Sequence, residues 1–138
     1  MSTRTNLRPQ IVIPSPQGTP ANSASMAANI TSAPTILQSL SKASYSISWS
    51  GTSPVGTLSV QVSNDYSLSA NGTVNNAGTW TTLTLSVSGA PATSIPVTGN
   101  TGTAFIDLES ISAYAIQLVY TYTSGTGTMQ ATFNGKVS

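Results

Sequence analysis

The sequence predicts an all-β fold, an antiparallel β-sandwich or jelly roll of about seven or eight strands with an extended N-terminal arm. Apolar and small polar residues alternate with a period of two along several stretches after residue 35, as in strands with one buried face. Turn-forming Gly, Pro and Asn residues separate these stretches. Charged residues make up only 5% of the 138 residues while 38% are hydrophobic, which distinguishes the chain from disordered sequences.

Five stretches carry the alternation and predict strands, whereas no stretch has the period of a helix. Weaker strand candidates lie at residues 35–40, 95–97 and 103–109. The positions expected to face the core are Tyr45, Ile47 and Trp49; Leu58, Val60 and Val62; Leu83, Leu85 and Val87; Tyr114, Ile116, Leu118, Tyr120 and Tyr122; and Met129, Ala131 and Phe133.

Turn chemistry predicts how some of these strands are connected. The segment at residues 51–56, with two Gly and one Pro, is expected to join two antiparallel strands, and residues 124–127 are expected to close a hairpin between Tyr122 and Met129. Asn71-Gly72 and Asn134-Gly135 are further turn dipeptides.

The chain divides into an N-terminal arm, residues 1–34, and a β domain, residues 35–138. The arm holds five of the eight prolines, namely Pro9, Pro14, Pro16, Pro20 and Pro34. Proline disfavours helix, so the arm is expected to be extended. Ordering it costs about 1–2 kcal/mol per residue, so we expect it to become ordered only along a partner, for example as a strand added to a sheet edge.

Residues able to carry chemistry are scarce, and the sequence predicts no catalytic, metal or cofactor site. There is no His and no Cys, which removes the usual general base and the thiol nucleophile. Ser39 and Lys42 match the S-x-x-K motif, but its companion motifs are absent. Asp107 and Glu109, expected on one strand face with Phe105, are the pair considered for glycoside hydrolysis, and exposure near a strand end explains them as well.

Candidate binding residues fall into two groups. In the arm, Arg4 and Arg8 are expected to meet an acidic rim on a partner, and Ile11, Val12 and Ile13 are expected to supply the strand that docks on it. A frayed, solvated terminus explains the two arginines equally well. The second group is Tyr66 with Trp80, which would form either an exposed platform for a sugar or, as the favoured interpretation, a cap over the edge of the sandwich.

Composition bears on the environment of the chain. Four basic residues and a net charge of +1 give little support for nucleic-acid binding, and no apolar run approaches the about 20 residues that cross a bilayer. The apolar run at residues 11–13 is too short for a signal-peptide core, so the chain is expected to be made and kept in a cytoplasm. A surface with so few charges gives little electrostatic repulsion between molecules. This composition favours a protein that functions as part of an assembly.

A resemblance adds to this reading. The runs SISWSGTSPVGTLSVQVSNDY, AGTWTTLTL and AYAIQLVYTYTSGTGTMQATFNGKV resemble small β-sandwich proteins of bacteriophage particles, both head decoration (cement) proteins and tail or fibre proteins. In such families the sandwich sits on the capsid or tail and an extended terminus reaches across subunits. The order of S-N-D, a loop and W-T-T-L also resembles carbohydrate-binding sandwiches.

The expected function is therefore that of a non-enzymatic virion structural protein, assembled in the host cytoplasm. It would be a capsid decoration protein that bridges shell subunits with its β domain and arm. Its partners would be the major capsid protein or another virion protein, with homo-oligomers in the assembly and no nucleic acid or membrane. The alternative is a receptor-binding or carbohydrate-binding module on a tail or fibre.

Overall fold

The computed structural model describes residues 10–13, 25–37, 40, 42–87, 89–108 and 111–136. This part of the chain is all-β with antiparallel pairing and contains no helix, as the alternation predicts. Its strands, in chain order, are β1 (Gln10–Ile13), β2 (Ile30–Thr31), β3 (Thr35–Ile36), β4 (Lys42–Ser63), β5 (Ser67–Leu68), β6 (Val74–Asn76), β7 (Thr81–Thr82), β8 (Leu85–Val87), β9 (Ala90–Ala92), β10 (Ile95–Val97), β11 (Thr101–Leu108) and β12 (Ala115–Lys136).

Two long strands form the centre of the fold. β4 and β12 have 22 residues each and pair antiparallel along their whole length, from Ala115 opposite Ser63 to Lys136 opposite Lys42. In the half that contains residues 43–50 and 128–135, the polar residues between the apolar ones, mostly Ser and Thr, lie on the more exposed face. In the other half, Ala115–Leu118 are buried on both faces. The predicted inward positions of the first and last stretches are all buried, namely Tyr45, Ile47, Trp49, Met129, Ala131 and Phe133. The prediction is wrong for Tyr114 and Tyr122, which are exposed because Tyr114 precedes β12 and Tyr122 lies where the register shifts.

The two predicted central turns are wrong, because each of the two segments lies inside a long strand. Residues 51–56 belong to β4 and residues 124–127 to β12, and the two Gly-rich segments face each other across the ribbon. The register shifts between Tyr122 and Thr126, and two residues there have positive φ, Ser53 (46°) and Gly125 (85°). Bulges of this kind bend a pair of strands without ending it.

Glycine lets the strands approach closely at this bend. Gly51 lies opposite Gly127, and a Cβ on Gly51 would collide with the backbone of Thr126 and Gly127. Asn134-Gly135 also lies within β12 and is not a turn. Asn71-Gly72 is a turn as predicted: Gly72 has φ of 90°, and its amide donates to the Ser69 carbonyl.

Along both long strands, the buried positions change from odd to even residue numbers, or the reverse, at the bend. Buried apolar residues of β4 have odd numbers up to Trp49 and even numbers from Leu58. The large buried apolar residues of β12 have even numbers up to Tyr120 and odd numbers from Met129. A bulge inserts the residue that shifts this phase. Residues of both halves belong to one hydrophobic cluster.

Shorter strands pair with the outer edges of the ribbon. β11, β10 and β7 pair with successive parts of β4. On the other side, β1, an isolated bridge between Ser25 and Thr128, β2 and β3 follow the edge of β12. The pairs β5–β6 and β8–β9 form two small separate sheets, so Leu85 and Val87 lie in a small hairpin and not in the main sheet.

Part of the predicted arm is packed into the fold. Val12, Ile13, Met26 and Ile30 are buried, each with at most 2% of its surface exposed. The expectation of an arm that is ordered only by a partner counted the three apolar residues at 11–13 and left out Met26 and Ile30. Burying one such side chain stabilises by about 1.5–3 kcal/mol, and pairing with β12 also satisfies an otherwise open sheet edge.

Candidate functional site

The docking residues predicted in the arm lie along β12 of their own chain. β1 pairs with Ala131–Phe133, and Ile11 stands opposite Thr132. Val12 and Ile13 point into the core, whereas Ile11 is 56% exposed. Ile11 is therefore the one of these three that offers an apolar surface to a partner; Arg4 and Arg8 lie outside the described residues.

Side-chain hydrogen bonds fasten the next part of the N-terminal segment to β12. The Asn29 side-chain oxygen accepts from the Tyr122 amide at 2.8 Å, and the Ser32 hydroxyl accepts from the Leu118 amide at 2.8 Å. The Ser32 amide in turn donates to the Leu118 carbonyl at 2.8 Å. Residues 25–36 thus follow the edge of β12 in the same direction as β1.

Tyr66 and Trp80 are brought together, but they do not form an exposed platform. Their ring centroids are 5.6 Å apart with the planes tilted by 50°, and the Trp80 indole donates to the Ala77 carbonyl at 2.9 Å. Tyr66 is only 8% exposed, so a sugar would have little of its ring to stack on. The two rings thus pack against each other in the segment that follows β4, and the cap over the sheet edge stays a prediction.

Asp65 holds this loop in shape. Its carboxylate accepts hydrogen bonds from the Thr79 amide and the Ser63 hydroxyl, both at 2.7 Å, and the Ser63 hydroxyl accepts one from the Tyr66 amide at 3.2 Å. The Thr79 amide, followed by the Ser63 hydroxyl, lowers the pKa of Asp65 below its ordinary value. Asp65 therefore acts as a structural anchor that is charged at neutral pH.

The residues considered for catalysis are only partly described. Asp107 is exposed on β11 on the same face as Phe105, as predicted, while Glu109 and Ser39 lie outside the described residues. In the described ranges, no three His, Cys, Asp or Glu side chains converge as metal ligands would. No described helix is long and apolar enough to span a membrane.

One surface stands out that sequence reasoning did not single out. Phe105 and Asp107 of β11 lie with Ser44 and Ser46 of β4 and with Thr132 and Asn134 of β12 along an open groove of about 470 Å³. The residues that alternate with them, Tyr45, Ile106 and Phe133, are buried. We call this surface the outer face. The regular Ser positions of β4 are the sequence signal of the outer face. A local stretch of sequence does not show that β11 and β12 lie on either side of β4, so it cannot bring these residues together.

Comparisons with protein families, with curated proteins and with solved structures found no match to this chain.

Proposed function

We propose that the chain is a structural protein of a virus particle, of the capsid decoration kind, that links neighbouring subunits by exchanging its N-terminal strand. The observation that carries this proposal is the way β1 is attached. β1 is short and lies at the edge of the sheet. The chain between β1 and Ser25 is much longer than the distance between their pairing positions on β12. Exchange of such a strand would give homo-oligomers within the shell. The shell partner would be the major capsid protein or another virion protein.

Two lengths support strand exchange. Ile13 lies opposite Ala131 and Ser25 opposite Thr128, so the connection has to cover only three residues of β12, about 10 Å. The stretch from Ile13 to Ser25 spans about 40 Å when extended. The excess lets β1 reach the β12 edge of a copy beside it.

The energetics favour exchange only in a crowded assembly. An exchanged β1 makes the same contacts as in its own chain, burying Val12 and Ile13 on β12, so the cost is mainly that of leaving the tethered position. A tether of this length gives an effective concentration in the mM range. A particle surface, with many copies side by side, reaches this range, whereas dilute solution does not.

The surface suits close packing of neighbours. With 5% charged residues and a net charge of +1, copies meet little repulsion. Ile11 on β1 is exposed at the same edge and would pack against a neighbour when β1 crosses over. These features support an architectural role in a virion.

Cross-linking tests the exchange, since the chain has no natural Cys. Ile11 and Thr132 stand directly opposite each other, where Cβ atoms lie about 4.5–5.5 Å apart, at the upper end of the spacing that a disulfide joins. When an Ile11→Cys chain and a Thr132→Cys chain are co-refolded at about 1 mM, a disulfide-linked heterodimer is expected. A mixture of Ile11→Cys with Ser86→Cys, an exposed residue on β8, gives the collisional background, and a yield no higher than this background would refute exchange.

Mass spectrometry of virus particles purified from cells that make the chain tests the location. Many copies per particle are expected, and on such particles the two Cys variants should cross-link. Absence from the particles would remove the virion assignment and leave strand exchange standing, so the two parts of the proposal fail separately.

We also propose that the ribbon closes as a sandwich, with its two halves stacked across the shared core. Two observations support this. The buried positions change between odd and even residue numbers at the bend, and buried residues of both halves belong to one hydrophobic cluster. The overall dimensions of the molecule in solution test it by X-ray scattering.

A further inference from the structure

The outer face carries an aromatic ring that its own fold does not use. Phe105 is 66% exposed on β11, whereas its neighbour Ile106 is buried. A lone exposed apolar residue needs no explanation, but Phe105 stands on a groove rather than on a convex surface, and Asp107 stands beside it on the same strand face.

Polar side chains lie beside the Phe105 ring in two rows that run across the strands. Register places Phe105, Ser46 and Thr132 in one row across the sheet. It places Asp107, Ser44 and Asn134 in the next. Strands lie about 4.8 Å apart, so Asp107 and Asn134 stand about 10 Å from each other, a span that a disaccharide covers.

These polar groups are free to bind a ligand. Among the described residues, none of Asp107, Ser44 and Asn134 makes a side-chain hydrogen bond or ion pair. Together they present a carboxylate acceptor, a hydroxyl, and an amide that both donates and accepts. Among the described residues that line the groove, Lys42 carries the one positive charge and Asp107 the one negative charge.

We propose that this groove binds a neutral oligosaccharide, with one sugar ring stacked on Phe105 and bonded through its hydroxyls to Asp107, and with the hydroxyls of the next ring bonded to Asn134. A sugar has an apolar face of C–H groups that packs on an aromatic ring and a rim of hydroxyls that need both donors and acceptors. The described lining offers no surplus of positive charge to a phosphorylated or sulfated ligand. The site differs from the Tyr66–Trp80 pair and does not depend on strand exchange.

A glycan array followed by NMR tests the proposal on the full chain. The array uses neutral glycans and includes cellotriose, maltotriose and triacetylchitotriose; each bound glycan is then titrated into ¹⁵N-labelled protein. We expect saturable shifts of amides near residues 44–46, 105–107 and 132–134. Phe105→Ala should weaken binding about tenfold, Asp107→Asn should weaken it as well, and Phe105→Tyr, which keeps the ring, should retain it.

Matched controls separate this site from others. Ile11→Ala removes an exposed apolar side chain from the opposite edge of the same row, and Trp80→Ala removes the half-buried aromatic of the loop; binding should survive both. No bound glycan on the array, unchanged affinity in Phe105→Ala, or loss of binding in Trp80→Ala would each overturn the proposal. Loss of self-association in Phe105→Ala without any glycan binding would also overturn it, because the face would then serve a second copy.

Discussion

Tyr45 carries a polar atom into the apolar core. Its side chain is fully buried, the ring meets Phe133 edge-on at a centroid distance of 5.4 Å, and its hydroxyl has no hydrogen-bond partner among the described residues. Burial raises the pKa of Tyr45 above its ordinary value of 10.0. The folded state thus holds the proton more tightly than the unfolded state. This contribution to stability is complete below pH 10 and is lost as the pH rises further.

Tyr45→Phe is therefore expected to stabilise the protein under alkaline conditions. At pH 7 the free energy of unfolding should be unchanged or higher by about 1–3 kcal/mol, because an unpaired buried hydroxyl is removed and the ring is kept. Above pH 10 the variant should lose less stability than the parent. Urea unfolding followed by circular dichroism at both pH values measures this.

Tyr114→Phe is the control, because Tyr114 is 42% exposed and its hydroxyl already meets water. It should follow the parent at both pH values. A Tyr45→Phe variant that is less stable than the parent at pH 7 by more than about 1 kcal/mol would show that the hydroxyl makes a favourable bond.

Alternation predicted the inward direction of Tyr45 and Phe133, since a residue's face within a strand depends only on its position. It could not predict which buried hydroxyl lacks a partner, or that Asn29 bonds to Tyr122. Such contacts join residues far apart in the chain, and small polar residues give no local signal of their distant partners. The same holds for Asp65, whose bond to Thr79 crosses a loop.

At the scale of elements, the central turns were predicted wrongly for a physical reason. Gly-rich segments flanked by alternating strands are the usual signal of a hairpin. Here two such segments face each other, Gly51 opposite Gly127, and each relieves the crowding that the other would meet. A single sequence window holds one partner of this pair, so it cannot separate a bend shared by two strands from a turn.

The N-terminal segment gives the element-scale prediction. Deleting residues 1–34 removes four buried apolar side chains, those of Val12, Ile13, Met26 and Ile30, worth about 6–12 kcal/mol together. Typical domains are stable by about 5–15 kcal/mol. The truncated chain is therefore expected to unfold or aggregate, and thermal unfolding by circular dichroism should show no cooperative transition.

Deletion of residues 1–9 is the matched control. It removes Arg4 and Arg8 but keeps β1, so the chain should melt within a few degrees of full length. A chain without residues 1–34 that still melts cooperatively near the parent temperature would show that the strands along β12 are dispensable. It would support the predicted division into an arm, residues 1–34, and a separate β domain.

At the scale of the molecule, the bulges at the centre of the ribbon bear on its proposed closure as a sandwich. Strands of 22 residues would make a straight ribbon about 70 Å long, with one face open to water. The buried residues of both halves belong to one cluster instead. In the stacked arrangement that we propose, the bulges near Ser53 and Gly125 would supply the phase shift that turns both sets of apolar residues towards one interior. The fold class could be predicted from alternation, whereas the number of long strands could not, because the bend arises from pairing.

A closed sandwich and an open ribbon differ in size enough to be separated by X-ray scattering. A compact chain of this length has a radius of gyration of about 14 Å, while a ribbon about 70 Å long reaches about 20 Å from its length alone. We expect a radius of gyration of about 14 Å for the monomer peak of a size-exclusion column coupled to scattering, where strand exchange between copies is negligible.

Gly125→Ala places a side chain at a φ of 85° against the carbonyl of Ser53. It should destabilise the bend by about 1–3 kcal/mol, which lowers the melting temperature without enlarging the folded monomer. A folded parent monomer with a radius of gyration of about 20 Å would exclude the stacked arrangement.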